Sequence, residues 1–240
     1  MTDQLITPES LWPLDGEYAE AYARTVRAGA ESAKESDVAI VAICRNALPA
    51  LANTLPLMAL AGSMFRSSRG YIFENDSEDQ TAEVLDKFAE LCPWPVTIEH
   101  ATLGGIDSRG FERERTERLA HCRNKCLDWV RANASNTAWT VVLDADPAGG
   151  FSPEGILNSV GHLSEMTASP LRPGGMASYS LYRTAEGVAH YDAWAARPVS
   201  WWRDRREEIG FTWFSAFLPP VGSTPCPMNS AFGGLAVYRT

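Results

Sequence analysis

Lysine is nearly missing from this chain: Lys34, Lys87 and Lys125 are the only three among 21 basic residues, and the other eighteen are arginines. No glycine- and lysine-rich phosphate loop follows the first strand-like run, which argues against that type of nucleotide site. Cysteine is sparse and irregular. Cys44, Cys92, Cys122, Cys126 and Cys226 are odd in number with no C-x-x-C spacing. They encode neither a disulfide framework nor a zinc site, and fit reduced thiols in a cytosol. Long apolar runs are absent too. The longest, Ala47 to Ala61, is broken by Pro49, Asn53 and Pro56 and is too short to span a bilayer. Met1 to Leu14 carries acids and prolines where a secretory signal needs a basic start and an apolar stretch. The expectation is a soluble cytoplasmic protein with no membrane partner. A net charge of -9 excludes a wholly basic nucleic-acid coat but leaves room for a local basic patch.

What is present is ordinary globular material, 45% hydrophobic and 21% charged over 240 residues, enough to bury one core without staples. Residues 1–35 read as a partly helical lead-in. Asp37 to Ile43 is a continuous β-branched apolar run, the mark of a strand covered on both faces. Asn46 to Gly62 then reads as a helix, with Leu51, Leu55 and Met58 at helical spacing. Gly70 to Glu74 is a second strand. Ser77, with Gln80 three residues on, matches a capping box before a helix whose inner stripe is Val84, Leu85, Phe88 and Leu91. Pro95 to Glu99 is a third strand, Glu112 to Asn133 a long polar helix, and Trp139 to Leu143 another buried strand. This alternation predicts an α/β fold with a mainly parallel central sheet flanked by helices. Beyond Phe151 the pattern is less regular. It has a capped helix from Ser152, strands near Met176 to Tyr182, an aromatic-rich arm, and a closing strand near Ala231 to Tyr238. The predicted organisation is the lead-in followed by one domain over 36–240, divided at about residue 150 into a nucleotide-type front half and an acceptor-side back half.

In open α/β sheets, ligands bind beyond the carboxyl ends of the strands. Three polar clusters fall there: Cys44-Arg45-Asn46, Glu74-Asn75-Asp76-Ser77 and Asp144-Ala145-Asp146. Residues i and i+2 of extended chain point to the same side, so Asp144 and Asp146 project together. Two adjacent carboxylates repel, and a divalent cation relieves the repulsion; hard oxygen donors suit Mg²⁺ or Mn²⁺. The competing reading is a strand-ending turn before Pro147. On the long helix, Leu119, Cys126 and Val130 define one apolar face, with Arg123 in its middle and Arg115 close beside it. A guanidinium turned inward must meet an anion. Either an internal carboxylate, such as one of the two aspartates, or a ligand diphosphate satisfies that need. Asn124 adds a neutral donor and acceptor next to Arg123.

Several segments resemble a known family. Ser36 to Thr81, with I-C-R-N and E-N-D-S-E-D-Q-T, is similar to the start of GT-A-fold glycosyltransferases. R-L-A-H-C-R-N-K-C-L at Arg118 to Leu127, followed by V-V-L-D-A-D, resembles the middle of the fungal capsule-associated mannosyltransferase type. H-Y-D-A-W-A-A-R at His190 to Arg197 and M-N-S-A-F-G-G at Met228 to Gly234 resemble its closing motifs. The resemblance implies a GT-A-like fold and transfer of a sugar from a UDP- or GDP-sugar donor, with Mn²⁺ or Mg²⁺ and the donor diphosphate at the D-x-D, Asp144 and Asp146. It implies that Asp76 reads the nucleoside and that Arg123 and Asn124 serve the donor. The remaining donor contacts are expected from Arg45, Asn46, Glu74 and Arg115.

An inverting course needs a base for the acceptor hydroxyl, for which Asp192 is the candidate, its alternative being to cap a turn beside Trp194. A retaining course, as the resemblance implies, needs no dedicated base and sets Asn229 near the anomeric carbon. Trp201, Trp202 and Arg203 interleave aromatics with charge, a surface suited to stacking on sugar rings or on nucleic-acid bases. The acceptor reads as a glycan or small hydroxyl compound, with a hydroxymethylated DNA base as the alternative. Outside glycosyl transfer, the alternatives are a nucleotidyltransferase and a non-catalytic binding module.

Overall fold

β1 (Asp37–Cys44) sits at the centre of a six-stranded sheet of order β3-β2-β1-β4-β10-β5, and its neighbours explain the rest of the architecture. The computed structural model describes residues 5–11, 14, 16–104, 113–168, 173–185, 187–191, 196–199 and 218–240. β2 (Ser67–Asn75), β3 (Val96–Ala101) and β4 (Trp139–Asp144) run parallel to β1. β10 (Leu235–Arg239) returns antiparallel to β4 and pairs with the edge strand β5 (Gly175–Ala177). Two small antiparallel pairs lie outside the sheet: β6 (Leu181–Thr184) with β7 (Gly187–His190), and β8 (Arg197–Pro198) with β9 (Met228–Ser230). The expected α/β class, with a mostly parallel sheet flanked by helices, is what the chain adopts.

Alternation along the strands divides the core into two layers. Val38, Ile40, Ala42 and Ile72 face one side, where α3 (Leu51–Ser63), α4 (Thr81–Leu91) and α6 (Pro153–Glu165) cover them with Leu51, Leu55, Met58, Leu85, Ile156 and Val160. Ala39, Val41, Tyr71 and Phe73 face the other, covered by Cys122, Cys126 and Val130 of α5 (Arg113–Asn133). Both faces of β1 are therefore dry, which is why its sequence is continuously apolar rather than alternating.

Some boundaries differ from the sequence expectation. α3 begins at Leu51 rather than Asn46, because Asn46 takes the left-handed conformation (φ 47) and the residue before Pro49 is disfavoured in helical backbone. Ser77 does not cap α4. The helix starts at Thr81, whose N–H donates to the Asp79 carboxylate (3.0 Å), and the same carboxylate accepts from Leu48 N–H (3.3 Å). Ser77 instead accepts from Asn46 N–H (3.0 Å). Leu91, expected on the inner stripe of α4, is 72% exposed. Ser152 does cap α6, accepting from Gly155 N–H at 2.7 Å.

The lead-in is built into the domain. After a short α1 (Pro8–Leu11), α2 (Ala19–Lys34) crosses α6 at glycines. A Cβ on Gly29 would fall 1.8 Å from Leu157 O, and one on Gly161 would fall 2.2 Å from Thr25 O. Both obstacles are backbone, so only glycine lets these axes approach so closely. Gly29→Ala and Gly161→Ala are each expected to cost roughly 1–3 kcal/mol through forced helix separation, several degrees in Tm for a domain of this size. Gly174→Ala, whose Cβ would meet nothing within 4 Å, should leave Tm unchanged. Equal melting temperatures for all three would contradict this packing.

Candidate active site at the carboxyl edge of the sheet

The register gathers the polar clusters. Cys44 lies opposite Glu74 on β2, and Ile43 lies opposite Asp144 on β4, so Arg45-Asn46, Asn75-Asp76 and Ala145-Asp146 emerge at one edge. Strand order reverses at β1, where the chain runs outward through β2 and β3 and then returns to β4 on the other side. That switch point is where an open α/β sheet forms its ligand crevice.

Asp144 ends β4 and is held on three sides. Its N–H donates to Gly234 O at 2.8 Å. Its Oδ1 accepts from Arg123 Nη2 at 3.1 Å, and Gly234 runs alongside Oδ2. Gly233 (φ 64) and Gly234 (φ 82) are consecutive left-handed residues, and that backbone brings the chain against Asp144 before β10 begins. Ser178 Oγ fixes the turn by donating to Gly233 O (2.8 Å). The Arg123 guanidinium lies 4.5 Å from the centroid of the Phe232 ring. The ion pair is partly exposed, with side chains 37% and 22% accessible, so it adds only about 0–1 kcal/mol of stability. Its consequence is positional: it fixes a cation against the aspartate at the strand end.

Asp146 is exposed and shares with Asn46 the wall of a groove of about 560 Å³. The groove is otherwise mostly apolar, lined by residues that include Leu48, Pro49 and Ala148, and Ile6 of the lead-in closes it. Asn53 pairs with both backbone groups of Ile6 at 2.8 Å, like a strand neighbour. Thr54 Oγ1 donates to Ala145 O at 2.7 Å, fixing the backbone between the two aspartates.

Glu74 and Asn46 carry structural bonds. Glu74 is 4% exposed; Oε1 accepts from Ser77 N–H (2.9 Å) and Oε2 contacts His100 Nδ1 (2.9 Å). Asn46 Oδ1 accepts from Glu78 N–H at 2.7 Å. Asp76, left-handed at φ 51, takes Leu103 N–H on both oxygens (3.1 and 3.2 Å) and Asn75 Nδ2 on Oδ2 (3.0 Å). Asn75, then the Leu103 and Gly104 amides and the Arg45 charge, hold its carboxyl below the usual carboxylate range. Arg45 Nε is buried without a hydrogen-bond partner among the described residues. Arg115 is half-buried in the first turn of α5, whereas Asn124, about 100° round from Arg123, is exposed. Asn229 is exposed on β9, five residues before Gly234. Asp192, Trp201, Trp202 and Arg203 lie outside the described residues.

Sequence reasoning missed the roles of Phe232, Arg118 and His100. Phe232 was visible only within the F-G-G of a closing motif. Arg118 carried a signal in its i, i+4 spacing to Cys122, the start of the buried face of α5. Nothing local marked His100, because its partners come from β2 and α4.

A divalent cation fits the donor set at the strand end. Asp144 and Asp146 offer hard carboxylate oxygens. The Cys44 thiol is buried, and burial, then Asp146, Glu74 and Asp79, pushes its pKa up to about 12. Among the described residues no group of three or more His, Cys, Asp and Glu side chains assembles. Waters and ligand oxygens would complete the shell, as Mg²⁺-type ions prefer. Among the described residues no helix is long and apolar enough to cross a membrane.

No protein-family model and no curated protein matches this chain. Solved structures do match at low similarity. The mannosyltransferase PcManGT from Pyrobaculum calidifontis, in complex with GDP-Man and Mn²⁺, is 18% identical with a TM-score of 0.43, over 92% of this chain and 54% of that one. TarS 1-349 of S. aureus is 13% identical at TM-score 0.43, over 85% and 47%. Glucosyl-3-phosphoglycerate synthase of Mycobacterium tuberculosis, in complex with UDP, is 14% identical at TM-score 0.29, over 98% and 65%. The chain thus spans about half the length of the first two. At TM-scores below 0.5 these likenesses carry no weight for activity, and the fold class rests on the sheet itself.

The His100 imidazole bridges Asp86 (2.9 Å) and Glu74, and those two carboxylates, Asp86 first, raise its pKa. A raised histidine adds stability that is fully present below its unfolded pKa of about 6.5 and is lost as pH rises through the folded value. His162, lowered by burial, acts with the opposite sign, so the informative quantity is a difference. The Tm advantage of wild type over His100→Gln should shrink from about pH 6 to about pH 8. An advantage independent of pH would contradict the bridge.

Proposed function

We propose that this chain is a divalent-metal-dependent glycosyltransferase that moves a sugar from a UDP- or GDP-sugar to a hydroxyl acceptor, a glycan or small molecule. The observation that carries the reading is the Arg123–Asp144 pair at the switch-point edge, with Asp146 two residues on and Arg45 in the loop after β1. Opposite charges set side by side there suit a ligand that is itself a metal-bridged anion. Asp144 and Asp146 would hold Mn²⁺ or Mg²⁺, which when bound would supply charge neutralisation for the departing nucleoside diphosphate.

The remaining work falls to side chains. Arg123 uses one of its five N–H groups on Asp144, leaving others for diphosphate oxygens. The Phe232 ring under the guanidinium restricts its movement, which preorganises this stabilisation. Arg45 and Arg115 complete the basic lining of the donor site, and Asn124 remains a donor-side proposal from the resemblance. Asn46, Glu74 and Asp76 enter as supports of that edge, since their bonds tie the loops after β1, β2 and β3 together. The reading assigns Asp192 to deprotonating the acceptor in an inverting course, or Asn229 to the anomeric centre in a retaining one. It assigns Trp201, Trp202 and Arg203 to the acceptor.

A panel of UDP- and GDP-sugars with Mn²⁺ or Mg²⁺, scored first for slow hydrolysis and then for transfer to simple glycosides, tests the proposal. Asp146→Asn should lower turnover by about 10²-fold or more, the scale of removing a transition-state charge stabiliser. Because Asp146 is exposed, Tm should stay within the small range of surface substitutions. Wild-type turnover in Asp146→Asn would overturn the metal-dependent reading.

A further inference from the structure

At the end of β2, the side-chain acceptors are in use while two arginine N–H donors are not. The Asp76 carboxylate accepts from Leu103 N–H and Asn75 Nδ2. Asn75 Oδ1 accepts from the Cys122 thiol (3.6 Å), and Glu74 is occupied by Ser77 N–H and His100. From the α5 side, Arg118 Nη2 donates to Gly104 O at 3.0 Å. The turn leaving β3 is thereby gripped twice, its Leu103 N–H by Asp76 and its Gly104 carbonyl by Arg118. Two donors remain: Arg118 Nη1 and Arg45 Nε are both buried with no hydrogen-bond partner among the described residues. Both belong to the same cluster. Arg45 follows Cys44, the residue opposite Glu74, and Arg118 bonds the turn whose Leu103 N–H Asp76 holds. Buried polar groups are nearly always bonded, and orphaned ones call for an explanation.

We propose that this end of β2 is a donor-only recognition edge, at which Arg118 and Arg45 bind an acceptor-only oxygen group of the ligand while Asp76 holds the loop. The ligand class rests on the nucleotide-sugar reading above. Two parts of such a ligand offer that chemistry: the keto oxygens of uracil or guanine, and phosphate oxygens. Arginine forks suit both. An amino group at the same place, as in cytosine or adenine, would set N–H against the arginine N–H groups, and a polar mismatch of that kind discriminates strongly.

Calorimetric binding of UDP, GDP, CDP, ADP and inorganic pyrophosphate to wild type, Arg118→Met and Arg45→Met tests this. Arg45→Met breaks no hydrogen bond described here, so it keeps the test valid if Arg118→Met loosens the loop; melting temperature monitors folding. Each variant should weaken the preferred nucleotide about tenfold or more, the loss expected for a charged hydrogen bond. If UDP or GDP outbinds CDP and ADP and the variants erase that preference, the bound group is a keto base. If all the ligands, pyrophosphate included, weaken by one common factor, it is a phosphate. Either result supports the edge. Asp76→Asn should leave the UDP-to-CDP affinity ratio unchanged, and a shifted ratio would overturn its assignment to the loop. Nucleotide binding that neither arginine variant weakens overturns the edge but leaves the nucleotide-sugar reading standing. Pyrophosphate binding that depends on Arg118, without any nucleotide binding, sinks that reading but keeps the edge. No binding of any ligand removes both.

Discussion

β1 is hydrogen-bonded in parallel on both sides, and that double pairing is the constraint on which the candidate site depends. With Cys44 opposite Glu74 and Ile43 opposite Asp144, three loops leave the sheet at one level. Burial on both faces enforces the register, since a slip of one residue would exchange the layer under α3, α4 and α6 with the layer under α5. The apolar core thus does more than stabilise the fold. It sets the separation of Arg45, Asp76 and Asp144 with a rigidity that loops alone do not provide.

On that base the chain arranges charge rather than strength. The Arg123–Asp144 pair contributes little to stability, being partly exposed, yet supports from several elements converge on it. Phe232 lies on the guanidinium, Gly234 holds the aspartate's backbone, and Ser178 fixes the glycine turn. The returning strand β10 brings Phe232 and Gly234 to this point, so the back half of the chain finishes a site whose charged residues come from the front half. Close fixing of opposite charges suits a ligand in which a cation and a polyanion arrive together.

Much of this was legible in the amino-acid order because it rests on local pattern. The β-branched runs gave β1 and β4, Ser152 announced α6, and helical periodicity turned Arg123 inward. Of the two partners such an arginine can take, an internal carboxylate or a ligand diphosphate, Asp144 supplies the first. What escaped depends on contacts distant in sequence. The left-handed Asn46 and the Asp79 bonds to Thr81 and Leu48 arise where the loops after β1 and β2 bond each other. Asp76 looked available because the turn that occupies its carboxylate lies 27 residues onward. Asn124 sits beside Arg123 in sequence, yet one helical step turns it into solvent.

The central claim is that Asp144 and Asp146 couple a divalent cation to a nucleoside diphosphate, and the most direct measurement is that coupling itself. Titrating UDP or GDP with and without Mn²⁺, and Mn²⁺ with and without the nucleotide, should give the same enhancement in both directions, about tenfold or more, as linkage requires. Nucleotide affinity that Mn²⁺ leaves unchanged would contradict the account.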